Sequence, residues 1–227
     1  MLTALHLAIE DAFAPKERRA LISSLALALL ALLLLWLGAT ALLDHLALFG
    51  IAWLDTPLAI LGSIAALVLA YLLFPAMTAL MLGFFLDGVI AEIERRRYPA
   101  LPPPRRNGLA SVLMSTLRLF LLAVILNVAA LPFYLAPGIN LFIYYGLNGY
   151  LVGREYFELV ALRRLEGRAA RATWRRHRGR FILTGIVIAF LLSVPLVNLV
   201  APLVAAAFML HVFERLRRSG TAETFAT

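Results

Sequence analysis

The sequence predicts an all-α integral membrane protein, and three observations carry this prediction. Hydrophobic residues make up 63% of the 227 residues and charged residues only 15%, an apolar content above that of ordinary soluble domains. The charges lie mainly between four long uncharged runs. Two of these runs contain the same pattern, P-x-x-N-L, at 137–141 and 195–199. A proline there interrupts an apolar helix, and lipid tolerates the freed backbone groups only where protein or water receives them.

The first two uncharged runs predict two long transmembrane helices within the segment 17–98. The run 20–43 has 24 residues, enough to cross a hydrocarbon core of about 30 Å. The run 58–86 contains Pro75 and can cross with a tilt or a kink. The connector between the runs has no Lys or Arg, whereas basic residues flank both outer ends. The positive-inside rule therefore places these flanks in the cytoplasm.

The other two runs predict two shorter helical hairpins, at 109–153 and 181–213. The run 119–153 would be about 52 Å long as one straight helix, too long for a bilayer, whereas the arm 181–194 would reach only about 21 Å. A single crossing in the third run would also put nine arginines of 154–180 outside, against the positive-inside rule. We therefore expect re-entrant hairpins with a P-x-x-N-L near each tip. Six full crossings would leave the arginines on the same side of the membrane and remain the alternative.

The remaining segments complete a single membrane domain over 1–227. Residues 1–16 predict an interfacial amphipathic helix, because apolar residues recur three or four positions apart while Glu10 and Asp11 lie off their stripe; the stripe consists of Leu2, Leu5, Ile9 and Phe13. The segment 154–180 predicts a basic helix along the cytoplasmic surface, and 214–227 is a tail.

Sequence motifs of enzymes and cofactor sites are absent from the chain. It contains no cysteine, no G-x-x-x-x-G-K-[ST], no G-x-S-x-G and no H-E-x-x-H, and its four histidines are not at metal-ligand spacing. We therefore expect no catalytic residue, no metal and no cofactor. The net charge of +8 comes almost entirely from arginine, but these arginines flank apolar runs. That placement favours anionic lipid over nucleic acid as the partner.

The hairpin tips are candidate polar sites in the membrane. A helix that restarts after Pro137 or Pro195 presents free amides and a positive dipole end, which suit an anion. Asn140 and Asn198 would add amide donors there, as pathway residues. The alternative is that both asparagines only cap the restarted helices.

Four charged residues are further candidates. Arg118 is either a snorkelling interfacial residue or a charge inside the membrane. Glu155 closes the third run and is a pathway candidate or an interface marker. Arg18 and Arg19 stand at the start of the first spanning helix, where a guanidinium pair beside free amides could bind an oxyanion; the alternative is that they anchor the topology.

Four short stretches together resemble the CysZ-type bacterial sulfate permeases and the wider etoposide-induced membrane protein family: 85–92 with Tyr98-Pro99, 136–140, 153–156, and 194–199 with Pro202. The resemblance extends over about residues 8–218. It implies two long transmembrane helices and shorter, partly penetrating hairpins. It also implies sulfate uptake for cysteine synthesis without ATP hydrolysis, in a homo-oligomer built from dimers.

The resemblance also implies a role for the arginine pair. In the permeases, a glycine-containing segment that ends in paired arginines binds sulfate. Arg18 and Arg19 match the pair, while Pro15-Lys16-Glu17 replaces the glycine-containing part. That replacement restricts close backbone approach to an anion and adds a negative charge, so the pair binds sulfate, binds another anion, or serves only as an anchor.

Two functions from different classes follow from these observations. The leading hypothesis is a sulfate-type anion permease of the bacterial inner membrane, with both termini cytoplasmic, in which Arg18 and Arg19 capture the oxyanion and Asn140 and Asn198 line its route. The competing hypothesis is a non-transporting membrane scaffold whose arginine-rich cytoplasmic face binds anionic lipid or a partner protein.

Overall fold

All regular structure in the described part of the chain is helical. The structure is a computed structural model that describes residues 1–46, 52–105, 109–134 and 138–218. It contains α1 (Leu2–Ala12), α2 (Pro15–Leu46), α3 (Ala52–Arg97), α4 (Leu109–Tyr134), α5 (Ile139–Ala161), α6 (Gly167–Ser193), a short 3-10 helix (Val197–Leu199) and α7 (Ala201–Arg218). The predicted all-α class is confirmed.

Three helices of the described part are long and apolar enough to cross a membrane. These candidate spans are Pro15–Leu42 in α2, Thr56–Phe74 in α3 and Met114–Tyr134 in α4. Large apolar side chains on these helices face outward, as the lipid-facing surface of a membrane protein requires. The spans in α2 and α3 coincide with the two long transmembrane helices that the sequence predicts. The hairpin depth and the total number of crossings stay predictions.

The first P-x-x-N-L motif lies between α4 and α5. Helix α4 ends at Tyr134, and α5 begins at Ile139 directly after Gly138. Gly138 has a φ of 82°, a left-handed conformation that glycine adopts without a steric cost. Pro137 lies outside the described residues. The two helices contact each other, so the chain reverses at this motif.

The second motif lies between α6 and α7. Val194 is extended, with φ −91° and ψ 116°, because the ring of Pro195 disfavours helical geometry at the preceding residue. The 3-10 turn Val197–Leu199 then leads into α7. Helices α6 and α7 also contact each other, so this motif too separates two neighbouring helices.

Helix α7 is the centre of the protein. Every residue from 201 to 214 is buried, and the helix contacts α1, α3, α5 and α6. Helix α1 presents three small residues to it, Ala4, Ala8 and Ala12, each at most 1% exposed. Small side chains let the two helix backbones approach closely, which fixes the N-terminal helix against the core.

Asp11 faces this core, which the sequence pattern of α1 does not indicate. Its side chain is 1% exposed, whereas Leu2, Ile9 and Phe13 of the predicted apolar stripe remain exposed. The buried carboxylate accepts a hydrogen bond from His211, whose Nε2 lies 2.9 Å from Asp11 Oδ2. The outward apolar residues can contact lipid. Asp11 faces inward because its carboxylate is hydrogen-bonded to His211 in the core.

A network of hydrogen bonds surrounds the buried Asp11 carboxylate. Arg96 and Arg97 donate to its Oδ1 at 2.8–2.9 Å, and Nδ1 of His211 lies 2.7 Å from the hydroxyl of Tyr98. Burial raises the pKa of Asp11, but the hydrogen bonds and charges of His211 and Arg97 outweigh it and hold the pKa below its ordinary value of 3.8. The network therefore keeps Asp11 ionised.

Helices α5 and α6 cross at very close range through glycines. A Cβ atom placed on Gly185 would lie 1.9 Å from the carbonyl oxygen of Gly149 and 2.6 Å from the Cα of Gly153. Gly153 in turn faces the backbone of Phe181. No side chain larger than hydrogen fits at these points, so the crossing depends on glycine.

The predicted basic helix 154–180 is divided between two elements. Its first part completes α5 up to Ala161, and its second part starts α6 at Gly167. Glu166 before that start is extended, with φ −69° and ψ 156°. Of its nine arginines, Arg154 therefore lies in α5, Arg163 and Arg164 lie between the two helices, and the other six lie in α6.

We predict that Gly185→Ala destabilises the protein. The added methyl group meets the backbone of α5, and forced overpacking of this kind costs about 1–3 kcal/mol. Thermal unfolding in detergent measures the effect, with the loss of monodisperse protein as the signal. Gly146→Ala is the matched control, because a Cβ on Gly146 has nothing within 4 Å. A Gly185 variant as stable as the Gly146 variant would contradict the close crossing.

We also predict that Asp11→Asn destabilises the protein by about 3–5 kcal/mol at neutral pH, because it removes one partner of a buried ion pair. The pKa of Asp11 is lowered in the folded state, so its contribution is complete above the ordinary value of 3.8 and is lost as the pH falls through the lower folded-state pKa. Melting temperatures of variant and wild type should therefore converge in strong acid.

Asp87→Asn is the control for this pH series. Asp87 pairs with Arg163 at 3.2 Å, but its side chain is 76% exposed, and exposed pairs contribute at most about 1 kcal/mol. Equal losses of stability in the two variants at neutral pH would show that Asp11 is not a buried charge.

Candidate anion site

A basic cavity of about 310 Å³ lies among α4, α5 and α6. Five of the residues that line it are arginines, and one is a glutamate. The lining consists of Arg118, Leu119, Leu122, Tyr150, Arg154, Glu158, Arg171, Trp174, Arg175 and Arg178. A concave surface with this excess of positive charge suits an anionic ligand.

Helical spacing brings the arginines of α6 together. Arg171, Arg175 and Arg178 lie at positions i, i+4 and i+7, which share one face of a helix. His177 departs from helical geometry, with φ −117° and ψ 19°, so the helix is kinked within this cluster. Burial, together with the charges of Arg176 and Arg180, lowers the pKa of His177. Burial contributes most to this lowered pKa, and the two neighbouring positive charges add to it.

Arg154 is held in a fixed position on the α5 side of the cavity. The residue is 9% exposed, and its guanidinium carbon lies 5.0 Å from the ring centre of Trp174 and 6.0 Å from that of Phe157. Both rings pack in turn against Phe181. A guanidinium over aromatic faces gains a cation–π interaction and loses rotational freedom.

Glu158 is the carboxylate partner of Arg154. Its Oε1 accepts a hydrogen bond from Nε of Arg154 at 2.6 Å and lies 2.5 Å from Nη2 of the same guanidinium in an ion pair. Its Oε2 accepts a hydrogen bond from the hydroxyl of Ser115 on α4. The pair therefore links two helices of the cavity wall.

The other four arginines of the cavity form no ion pair with a carboxylate in the part of the chain that the structure describes. They are Arg118, Arg171, Arg175 and Arg178. Like charges that converge on one cavity repel each other, and the repulsion is stronger where protein and lipid exclude water. An anion in the cavity would relieve this repulsion.

A second cavity, of about 380 Å³, adjoins the first. The two share Leu119 and Glu158 in their linings. The second cavity contains Glu155, a predicted pathway residue, and also Asp87, which pairs with Arg163. The predicted pathway residues Arg118 and Glu155 therefore line two neighbouring cavities, with Glu158 in the wall between them.

Arg18 and Arg19 lie away from the basic cavity. Both side chains are exposed near the N-terminal end of α2, and neither forms an ion pair within the described residues. Arg19 lines a third cavity, of about 340 Å³, which also contains Lys16 and the carboxylates of Glu17 and Glu92. Lys16 binds Glu92 at 3.0 Å. The arginine pair therefore stays accessible, beside two negative groups.

The two asparagines of the motifs lie at the helix junctions. The side-chain oxygen of Asn140 accepts a hydrogen bond from the backbone N–H of Leu141 at 2.7 Å, a local contact at the start of α5. Asn198 belongs to the 3-10 turn, and its backbone N–H donates to the carbonyl oxygen of Val194 at 2.8 Å. Neither residue lines the basic cavity.

Sequence reasoning singled out Arg118 but not the rest of the basic cavity. Arg171, Arg175 and Arg178 were predicted only as part of a basic surface helix, although their spacing already placed them on one face. Arg154 and Glu158 show the i, i+4 spacing of a helical ion pair. What the sequence could not indicate is that α5 and α6 turn these faces toward each other.

A comparison with protein-family models relates the whole arrangement to known proteins. The model described as Sulfate transporter CysZ/Etoposide-induced protein 2.4 matches residues 4–202, which is most of the chain. The chain belongs to this family. A search of curated proteins finds no match. Family membership confirms the predicted resemblance and agrees with a transport function in a membrane.

Proposed function

We propose that the protein is a permease for a sulfate-type oxyanion in the bacterial inner membrane, and that it does not use ATP. The observation that carries this proposal is the basic cavity beside the candidate span of α4, with four arginines that lack a carboxylate partner in the described part of the chain. Arginine binds the oxygens of sulfate and phosphate through its planar fork of donors. Family membership supports sulfate as the physiological ion.

Each predicted site residue has a role in this proposal. Arg18 and Arg19 capture the oxyanion at the cytoplasmic mouth or an early step of the pathway, since both are accessible. Arg118 belongs to the basic cavity, and Glu155 lines the adjoining one. Asn140 and Asn198 line the route at the hairpin tips.

The topology follows from the charges. With the basic flanks of α2 and α3 in the cytoplasm, both termini are cytoplasmic. The two later helix pairs then enter from the same side as re-entrant hairpins, which puts their arginines at the cytoplasmic face. The protein works as a homodimer or a higher homo-oligomer, and the sulfate it takes up supplies cysteine synthesis.

A second candidate function is a membrane scaffold that does not transport. Several exposed arginines of α6 do not line the basic cavity, among them Arg168 and Arg180. Clusters of this kind attract anionic lipid at the cytoplasmic surface. Binding to anionic vesicles without ion flux would favour this function.

We predict that purified protein in liposomes carries sulfate, and that Arg118→Gln/Arg175→Gln lowers the flux by about tenfold or more, since each lost contact to a charged group amounts to about 1.5–3 kcal/mol. Uptake of labelled sulfate measures the flux. Arg168→Gln is the control on the same helix and should transport normally. Flux no higher than that of empty liposomes would exclude the permease.

The same assay tests the arginine pair separately. If Arg18 and Arg19 capture the oxyanion, Arg18→Ala/Arg19→Ala raises the sulfate concentration needed for half-maximal flux. Unchanged transport in this variant would reduce the pair to a topological anchor and leave the basic cavity as the binding site.

Hairpin depth can be measured with one introduced thiol. The chain has no cysteine, so Asn198→Cys carries the only reactive group. For a re-entrant hairpin we expect a membrane-impermeant maleimide added from the periplasmic side to label this position slowly or not at all. Rapid labelling from that side, compared with Asp55→Cys in the connector predicted to be outside, would instead indicate a complete crossing.

A further inference from the structure

Glu158 already binds one of the five arginines that line the basic cavity. Its carboxylate binds Arg154 through both Nε and Nη2. Side-chain exposure is 11% for Arg154 and 12% for Glu158, so water screens the pair only weakly. An oxyanion that uses Arg154 must therefore compete with this internal carboxylate.

The surroundings decide which of the two side chains can move. Arg154 lies over the rings of Trp174 and Phe157, and Trp174 is itself buried, with 6% exposure. Within the described residues, Glu158 is held on its other side only by the hydroxyl of Ser115. It also lines the second cavity, which gives its carboxylate space to turn into. Competition should therefore displace Glu158 and leave Arg154 in place.

Displacement has a cost that favours return. In the second cavity the carboxylate of Glu158 would approach Arg163, whose guanidinium already pairs with Asp87 and Glu94, so it would have to share a cation that two other carboxylates hold. Glu158 would also lose the short hydrogen bond from Nε of Arg154 and the ion pair with Nη2, and such charge-assisted contacts are among the stronger kinds in proteins. Both effects push the carboxylate back toward Arg154 once an ion has bound.

We propose that Glu158 is an internal competitor that releases the transported oxyanion from Arg154. The inference rests on the proposed permease function, and it explains how a cavity with five arginines avoids holding its ion too tightly. Rapid transport requires binding that is strong enough for entry and weak enough for exit. Arg154 is then shared in turn by the oxyanion and by Glu158, which closes over it as the ion leaves.

The test is Glu158→Gln, which keeps the shape of the side chain and removes its charge. We expect sulfate to bind about tenfold more tightly, because a charge-assisted competitor is lost. We expect the maximal sulfate flux to fall while the concentration for half-maximal flux also falls. A change that only damaged the structure would weaken binding and could not produce this combination. Calorimetry in detergent and flux in liposomes measure the two quantities.

Glu166→Gln is the matched control. It removes one negative charge from an exposed carboxylate that pairs with Arg105 and lines neither cavity, and it should change neither quantity by more than about twofold. Equal tightening in the two variants would show a general charge effect and overturn the proposal. So would sulfate affinity in Glu158→Gln equal to that of wild type.

A double-mutant cycle shows whether the effect acts through Arg154. In an Arg154→Gln background, Glu158→Gln should no longer tighten binding, because the shared partner is gone. Tightening that persists in this background would also contradict the proposal. If Glu158→Gln binds sulfate more tightly while neither protein transports it, the competitor is established and only the permease function fails.

Discussion

The close crossing of α5 and α6 is the constraint on which the basic cavity depends. Gly149, Gly153 and Gly185 allow the two backbones to approach closely, with Ile186 of α6 packed directly on Gly149. At this distance Arg154, which follows Gly153 directly, lies against Trp174 of α6. A wider crossing would separate the arginine from the aromatic ring and the α6 arginines from Glu158. Residues without polar atoms in their side chains therefore set the geometry of the charged site.

Two groups of arginines differ in their partners. One group binds buried carboxylates: Arg96 and Arg97 contact Asp11, and Arg163 and Arg164 contact Glu94. These pairs join α1 to α3 and α3 to the segment after α5. Breaking one of them would leave a charge buried alone, which is strongly unfavourable. Their role is therefore structural, and they cannot take part in ligand binding without loosening the fold.

The second group lines the basic cavity, and within the described residues only Arg154 of this group has a carboxylate partner. These arginines lie beside the apolar span of α4, where uncompensated charge is costly. That cost is reduced because four of these arginines are exposed and their long side chains can reach water or lipid headgroups. They are Arg118, Arg171, Arg175 and Arg178. These four arginines form no ion pair within the described residues, a pattern expected where charge serves binding rather than stability.

The sequence predicted the parts of this fold that depend on a single helix. Hydrophobic run length identified the spans in α2 and α3, and the two P-x-x-N-L motifs marked the helix junctions, because proline acts through its own ring and its immediate neighbour. Contacts between helices were not predictable. Asp11 could not be assigned to the core without knowing that His211, two hundred residues away, faces it. The basic cavity was missed for the same reason.

Glu158 illustrates how far this limit extends. The i, i+4 spacing of Arg154 and Glu158 predicts only a helical ion pair, which is a weak surface interaction in most proteins. Its position in the wall between two cavities gives the same pair a different meaning. On one side are four arginines that attract an oxyanion, and on the other is Arg163, which Asp87 and Glu94 already hold. The carboxylate of Glu158 can pair with Arg154 or release it to an ion with little movement of other residues. The chemistry of the site therefore depends on a placement that only the assembled helices provide.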